Sequence, residues 1–166
     1  GKNVLCEKPS ARTLSEALEM QKAQHETGKV LNIGVVNRFN AAVNKVRELI
    51  QAGELGEVYH VYVSFRAHRS IPGLGGAFTD KSIAGGGVLI DWGVHYLDAM
   101  RWMMDERAPR YITAVGGKYY TGDRSDATIP DTMFCIFEFE SGKAMEFNVF
   151  EGGRSNPIKQ GELELA

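Results

Sequence analysis

Three side chains in this 166-residue chain have the types and spacing that acid–base chemistry needs. Lys8 lies in the run "LCEKPS" at Leu5 to Ser10, and Asp91 and His95 lie in "GGGVLIDWGVHYLD" at Gly85 to Asp98. A separation of four puts Asp91 and His95 on one helical face, close enough for the carboxylate to orient the imidazole and favour its protonated form. An imidazole is suited to take a proton from a substrate hydroxyl near neutral pH. Lys8 follows a short apolar run, which puts it at the carboxyl end of a strand, the edge where open α/β sheets bind ligands. Its ammonium there could donate a hydrogen bond or charge to a reacting oxygen. Gly85 to Gly87 carry no side chains and would let a substrate approach the backbone. Each residue also has a purely structural alternative. Asp91 could cap a helix, His95 could be a hydrogen-bonded core residue, Lys8 could be solvated ahead of a helix-starting Pro9, and Glu7 could be a first-turn carboxylate.

The elements that must position these groups are legible in the periodicity. "NVLCEKP" reads as a short strand closed by Pro9. "SARTLSEALEMQKAQHETGKV" has helical spacing and stops at Gly28, with Ser10 or Thr13 as cap and Glu16 completing a capping box with Thr13. "VLNIGVV" is a continuous apolar run, the pattern of a strand covered on both faces. Strand, helix and strand form a crossover unit of a parallel sheet. After Arg38 the period changes, with Val43, Val46, Leu49 and Ile50 marking a helix that ends in the "AGELGE" turn.

From Val58 to His68 the alternation of Tyr59, Val61, Val63, Phe65 and Ala67 with more polar residues marks a strand. Residues Arg69 to Ala84 are rich in Gly, Pro and Ser and read as a loop. A helix over about Trp92 to Met104 follows. Strands then run over Arg110 to Tyr120, Thr132 to Glu140 and Lys143 to Phe150, the last two joined as a hairpin at Glu140 to Lys143. The resulting fold class is α+β. It is the closing end of a Rossmann-type parallel α/β domain followed by an open, mainly antiparallel sheet with helices on one face.

Composition excludes several classes of function. The chain is 43% hydrophobic and 24% charged with a formal net charge of −2, which suits a globular core and offers no electrostatic reason for a nucleic-acid or acidic-membrane partner. No apolar run approaches the ~20 residues that span a bilayer, so a cytoplasmic location is expected. Cys6 and Cys135 lie in apolar strand-like runs and read as buried free thiols, not as a disulfide or metal ligands.

Four segments, in order, resemble the Gfo/Idh/MocA family of NAD(P)-dependent oxidoreductases. "GKNVLCEKP" is similar to its segment ending in E-K-P, "NIGVVNRFN" to its N-R-F segment at the domain crossover, and "AGELGEV" to its G-x-L-G-x-[IV] turn. "GGGVLIDWGVHYLDAMRW" is similar to its G-G-x-L-x-D-x-G-x-H-x-[LI]-D signature.

The resemblance implies hydride transfer between a secondary hydroxyl carbon of a sugar, cyclitol or related polyol and the nicotinamide of NAD or NADP. It assigns His95 as general base or acid, Asp91 as its electrostatic partner, and Lys8 as a group that holds the substrate oxygen. Glu7, Lys8 and Pro9 would line the nicotinamide side, and Arg38 is a further candidate for cofactor or substrate contact. It divides the chain into residues 1–36, the closing part of a dinucleotide-binding domain, and residues 37–166, a substrate-binding and oligomerisation domain. The G-x-G-x-x-G turn that receives a pyrophosphate does not occur in these residues, so the chain reads as a fragment. A homo-oligomer formed through the open sheet is expected. Two alternatives use the same fold: a nicotinamide-dependent glycosidase, and a non-catalytic sensor or assembly domain.

Overall fold

A computed structural model of the chain describes residues 1–67, 76–119 and 127–151. Two sheets organise it. β1 (Val4–Cys6) and β2 (Leu31–Ile33) form a parallel pair in the register Val4 to Leu31 and Cys6 to Ile33, linked by helix α1 (Leu14–Thr27). The second sheet has four strands in the order β3 (His60–Ala67), β6 (Ala144–Glu151), β5 (Thr132–Glu138) and β4 (Tyr111–Gly117). β6 runs parallel to β3 and antiparallel to β5, which is antiparallel to β4, so the sheet is mainly antiparallel as expected.

Local signals explain most boundaries. Thr13 caps α1, accepting from the Glu16 backbone N–H at 3.3 Å, while the Glu16 carboxylate accepts from the Thr13 N–H at 3.2 Å. That closes the capping box on Thr13, and Ser10 takes no part in it. Gly28 ends the helix at φ 62°, a left-handed conformation that glycine adopts without a Cβ clash. The second strand is shorter than its apolar run. It stops at Ile33, and Val36–Phe39 turns into a 3₁₀ segment whose Asn40 then caps α2 (Ala41–Gln51) through its side-chain oxygen.

The region expected as a loop before the glycines is partly helical. Gly76–Phe78 is a 3₁₀ turn and α3 spans Lys81–Ala84, capped by Asp80, whose carboxylate accepts from the Ser82 N–H at 2.8 Å. The remainder of that expected loop, His68 at the end of its expected strand, Tyr120, and the end of the proposed second domain lie outside the described residues. The helix expected from Trp92 begins earlier, in a wide π turn over Leu89–Gly93, and continues as α4 (Val94–Met104). Asp91 is therefore inside helical structure and does not cap it.

The core lies between α4 and one face of the four-stranded sheet. Met145, Phe147 and Val149 of β6 are fully buried beside Val88, Met100 and Cys135, with Val61, Val63 and Phe65 of β3 packed against them. Each such side chain stabilises by about 1.5–3 kcal/mol relative to leaving it in water. On β5 the alternation places Cys135 and Phe137 inward, with Phe139 just beyond the strand also buried, and leaves Phe134 and Ile136 on the uncovered face. Cys135 is a buried free thiol, pushed up in pKa by that burial, whereas Cys6 is free but only half-buried. No helix among the described residues is long and apolar enough to cross a membrane.

Candidate active site

Lys8 leaves the carboxyl end of β1 and crosses to the π turn that opens α4. Its Nζ donates to the Asp91 carboxylate at 2.5 Å and to the Asp91 backbone carbonyl at 2.8 Å, a contact between residues 83 positions apart. Both side chains are mostly buried, so the pair is little screened by solvent. Nζ also lies 5.9 Å from the centre of the Trp92 ring, which stacks on Phe65 of β3 at 4.6 Å. The wide turn, Leu89–Gly93, has Asp91 at its middle, a local departure from α-helix of the kind frequent at functional sites.

His95 follows in the first turn of α4, its ring 6.4 Å from that of Trp92. Asp91 was expected to orient this imidazole. Its carboxylate binds Lys8 instead, and His95 Nδ1 is enclosed without a hydrogen-bond partner among the described residues. The net effect on charge is also opposite to that expected. Burial, followed by the nearby Lys8 ammonium, holds the His95 pKa below the ordinary imidazole value, against the smaller opposing pull of Asp91, Glu7 and Asp98. The histidine is thus held toward its neutral, proton-accepting form.

A cavity of about 400 Å³ adjoins the pair. Glu7, Lys8 and Pro9 form one side, and Phe78, Ile90 and Asp91 contribute to the other. The Lys8–Pro9 peptide is cis. Glu7 accepts from the Lys8 N–H at 3.3 Å and lies against Gly34, where a Cβ would come within 2.9 Å of the carboxylate.

The glycine run has a different task from the one its composition suggests. Gly85 has φ 80° and a Cβ there would meet Arg12 at 2.7 Å, while a Cβ on Gly87 would collide with the Pro130 carbonyl. Gly86 and Gly87 do border the cavity, but close protein packing already fills the space a side chain would take.

Arg38 is drawn to α4. Its Nε and Nη2 donate to the two Asp98 oxygens at 2.6 and 2.5 Å, and the carboxylate raises the guanidinium pKa. Sequence reading singled out Arg38 without its partner. The clue was the position of Asp98 three residues after His95, on the same helical face.

A family model described as the GFO/IDH/MocA C-terminal domain matches residues 43–160. The chain belongs to the GFO/IDH/MocA family. Among curated relatives of this member, D-glucoside 3-dehydrogenase of Escherichia coli (strain K12) is 34% identical over 152 residues, covering 86% of this chain and 43% of the relative. Inositol 2-dehydrogenase of Rhodococcus erythropolis is 32% identical over 152 residues, covering 90% and 40%. Among solved structures, GenD2 from gentamicin A biosynthesis in complex with NAD superposes with a TM-score of 0.78 at 32% identity, covering 89% of this chain and 41% of that one. The aldose-aldose oxidoreductase from Caulobacter crescentus, complexed with glycerol, gives 0.78 at 30% identity, covering 90% and 43%. The GFO/IDH/MocA chain described here thus spans about two fifths of the length of these relatives.

Proposed function

We propose that the intact protein is an NAD(P)-dependent oxidoreductase acting on a secondary hydroxyl of a sugar, cyclitol or related polyol. The observation that carries this reading is the meeting of Lys8, from the end of a parallel strand, with Asp91 at the wall of a cavity, one helical turn before a half-buried histidine of lowered pKa. The dehydrogenases and the NAD-bound GenD2 among its relatives support it.

Each residue then has a task. His95 takes the hydroxyl proton in its neutral form, through the ring nitrogen other than the enclosed Nδ1. Lys8 donates a hydrogen bond to the same substrate oxygen, and Asp91 aims the ammonium. Pro9, Phe78 and Ile90 offer apolar wall suited to one face of a flat ring, with Glu7 as a polar edge, so these residues fit the nicotinamide end of NAD or NADP. The nicotinamide, when bound, supplies the acceptor for the hydride that leaves the hydroxyl carbon. The region of residues 1–36 serves the cofactor side and that of 37–166 the substrate side.

The test is incubation of the intact protein with NAD or NADP and a panel of sugars and cyclitols, following reduced nicotinamide. Substrate-dependent, stoichiometric NAD(P)H formation is expected. Cleavage of glycosides with no net NAD(P)H would replace this reading with the glycosidase one, and cofactor-independent ligand binding with no turnover would replace it with the sensor one.

The uncovered sheet face supports self-association of the same protein. Tyr62, Val115, Phe134 and Ile136 are exposed there, and Phe150, edge-on to Phe134 at 5.1 Å, lies beneath the Arg66 guanidinium. A second copy of the sheet would remove this apolar area from water. Light scattering that stays at monomer mass over a wide concentration range would exclude it.

A further inference from the structure

The segment Val36–Phe39 touches α4 at two consecutive residues, and both contacts fall around His95. The Asn37 side-chain amide donates to the His95 backbone carbonyl at 3.4 Å. Arg38 grips Asp98, one turn further on, with two nearly parallel hydrogen bonds of 2.6 and 2.5 Å. Such a fork fixes direction as well as distance, which a lysine cannot do. Asp98 is the more enclosed partner, with 18% of its side chain accessible against 45% for Arg38.

Arg38 is itself held from behind. The Asn44 side chain of α2 donates to its carbonyl at 3.0 Å. One further turn along α4, Trp102 lies under both Arg38, at 6.0 Å, and Arg47 of α2, at 4.4 Å. Arg47 also donates to the Trp102 carbonyl at 3.2 Å. His95, Asp98 and Trp102 are spaced three and four apart, so one stripe of α4 is clamped along its length by the 3₁₀ segment and α2.

We propose that the Arg38–Asp98 fork, with Asn37 at the His95 carbonyl, is a positioning device for His95 rather than a contact to cofactor or substrate. Its kinetic consequence rests on the reading of His95 as the proton acceptor; its structural consequence does not. The charged groups acting on His95 are Lys8 and Glu7 from the segment after β1, and Asp91 and Asp98 from its own helical element. Arg38 enters this set by neutralising Asp98. The arrangement therefore has a charge signature with opposite signs for the two partners. Without Arg38, an uncompensated Asp98 carboxylate stabilises the imidazolium; without the carboxylate, the remaining guanidinium disfavours it.

The experiment is an NMR titration of the His95 ring in the full chain, run beside steady-state kinetics. Arg38→Gln is expected to raise the His95 pKa, Asp98→Asn to lower it, and the double variant, in which the two opposite shifts cancel, to return it close to the wild-type value. Arg38→Lys keeps the charge and loses the fork. It should leave the titration nearly in place while lowering kcat about tenfold with little change in KM.

Unmoved His95 titrations in both Arg38→Gln and Asp98→Asn would overturn the proposal. So would an Arg38→Lys loss confined to the KM for cofactor or polyol, which is the signature of a ligand contact. Where Arg38→Gln fails to fold by circular dichroism, Arg38→Lys and Asp98→Asn carry the same decision. Wild-type turnover in His95→Ala would instead remove the proton-transfer role and leave the titration result standing.

Discussion

The crossover β1–α1–β2 and the unit formed by α4 and its sheet are both well-defined secondary structure, yet they are held by different physics. In the sheet unit, Met145, Phe147 and Val149 are completely buried between β3, β5 and α4. In the crossover no large apolar side chain is fully buried: Leu5 is 74% exposed, Leu14 76% and Val30 61%. Its order comes from a capping box at Thr13, a left-handed glycine at Gly28 and a three-residue parallel ladder. Caps and ladders specify shape, whereas burial supplies most of the free energy. The candidate site lies on the seam. Lys8 comes from the thinly packed side and Asp91 and His95 from the densely packed one, so the Lys8–Asp91 ion pair also ties two regions of unequal burial.

The largest effect that tests this contrast is chemical. In the intact protein His95→Ala should lower turnover by roughly 10²–10⁴-fold with cofactor affinity nearly constant, the signature of a proton acceptor that acts in the chemical step. Lys8→Ala, on the other side of the seam, should cut turnover and weaken ligand binding as well. The pH profile carries the sign. With the His95 pKa held down by burial and by Lys8, kcat/KM should fall on acidification only below the ordinary imidazole range. Removing the Lys8 charge should move that limb toward higher pH. A limb that stays in place in Lys8→Ala, or wild-type turnover in both variants, would show that the seam holds no acid–base centre.

Next in size is the difference in packing. Phe147→Ala should destabilise the chain by about 3–5 kcal/mol, since the cavity it opens is enclosed by β3, β5 and α4. Leu18→Ala, at a position 53% exposed on α1, should stay within about 0.5 kcal/mol. Equal losses in urea denaturation would mean that the two regions are not packed as differently as their burial indicates.

The smallest effect isolates the local code. Thr13→Ala removes the capping box and should cost about 1 kcal/mol, seen first as faster amide exchange in the opening turn of α1. If exchange in β6 accelerated equally, the crossover and the sheet unit would be one cooperative body.

What the sequence determined by itself was everything encoded over a few residues. Thr13, Glu16 and Gly28 bound α1 because capping acts within one turn, and the alternation along His60–Ala67 gives its face pattern because strand side chains repeat every second residue. Lys8, Asp91 and His95 stood out by residue type and spacing, but their partners did not. Only the tertiary structure decided that Asp91 binds Lys8, that the glycine run is filled by Arg12 and Pro130, that β3 pairs parallel with the distant β6, and that Arg38 grips Asp98. These pairings join residues tens of positions apart. Their geometry follows from how whole elements dock, and no periodicity within a single segment carries that information.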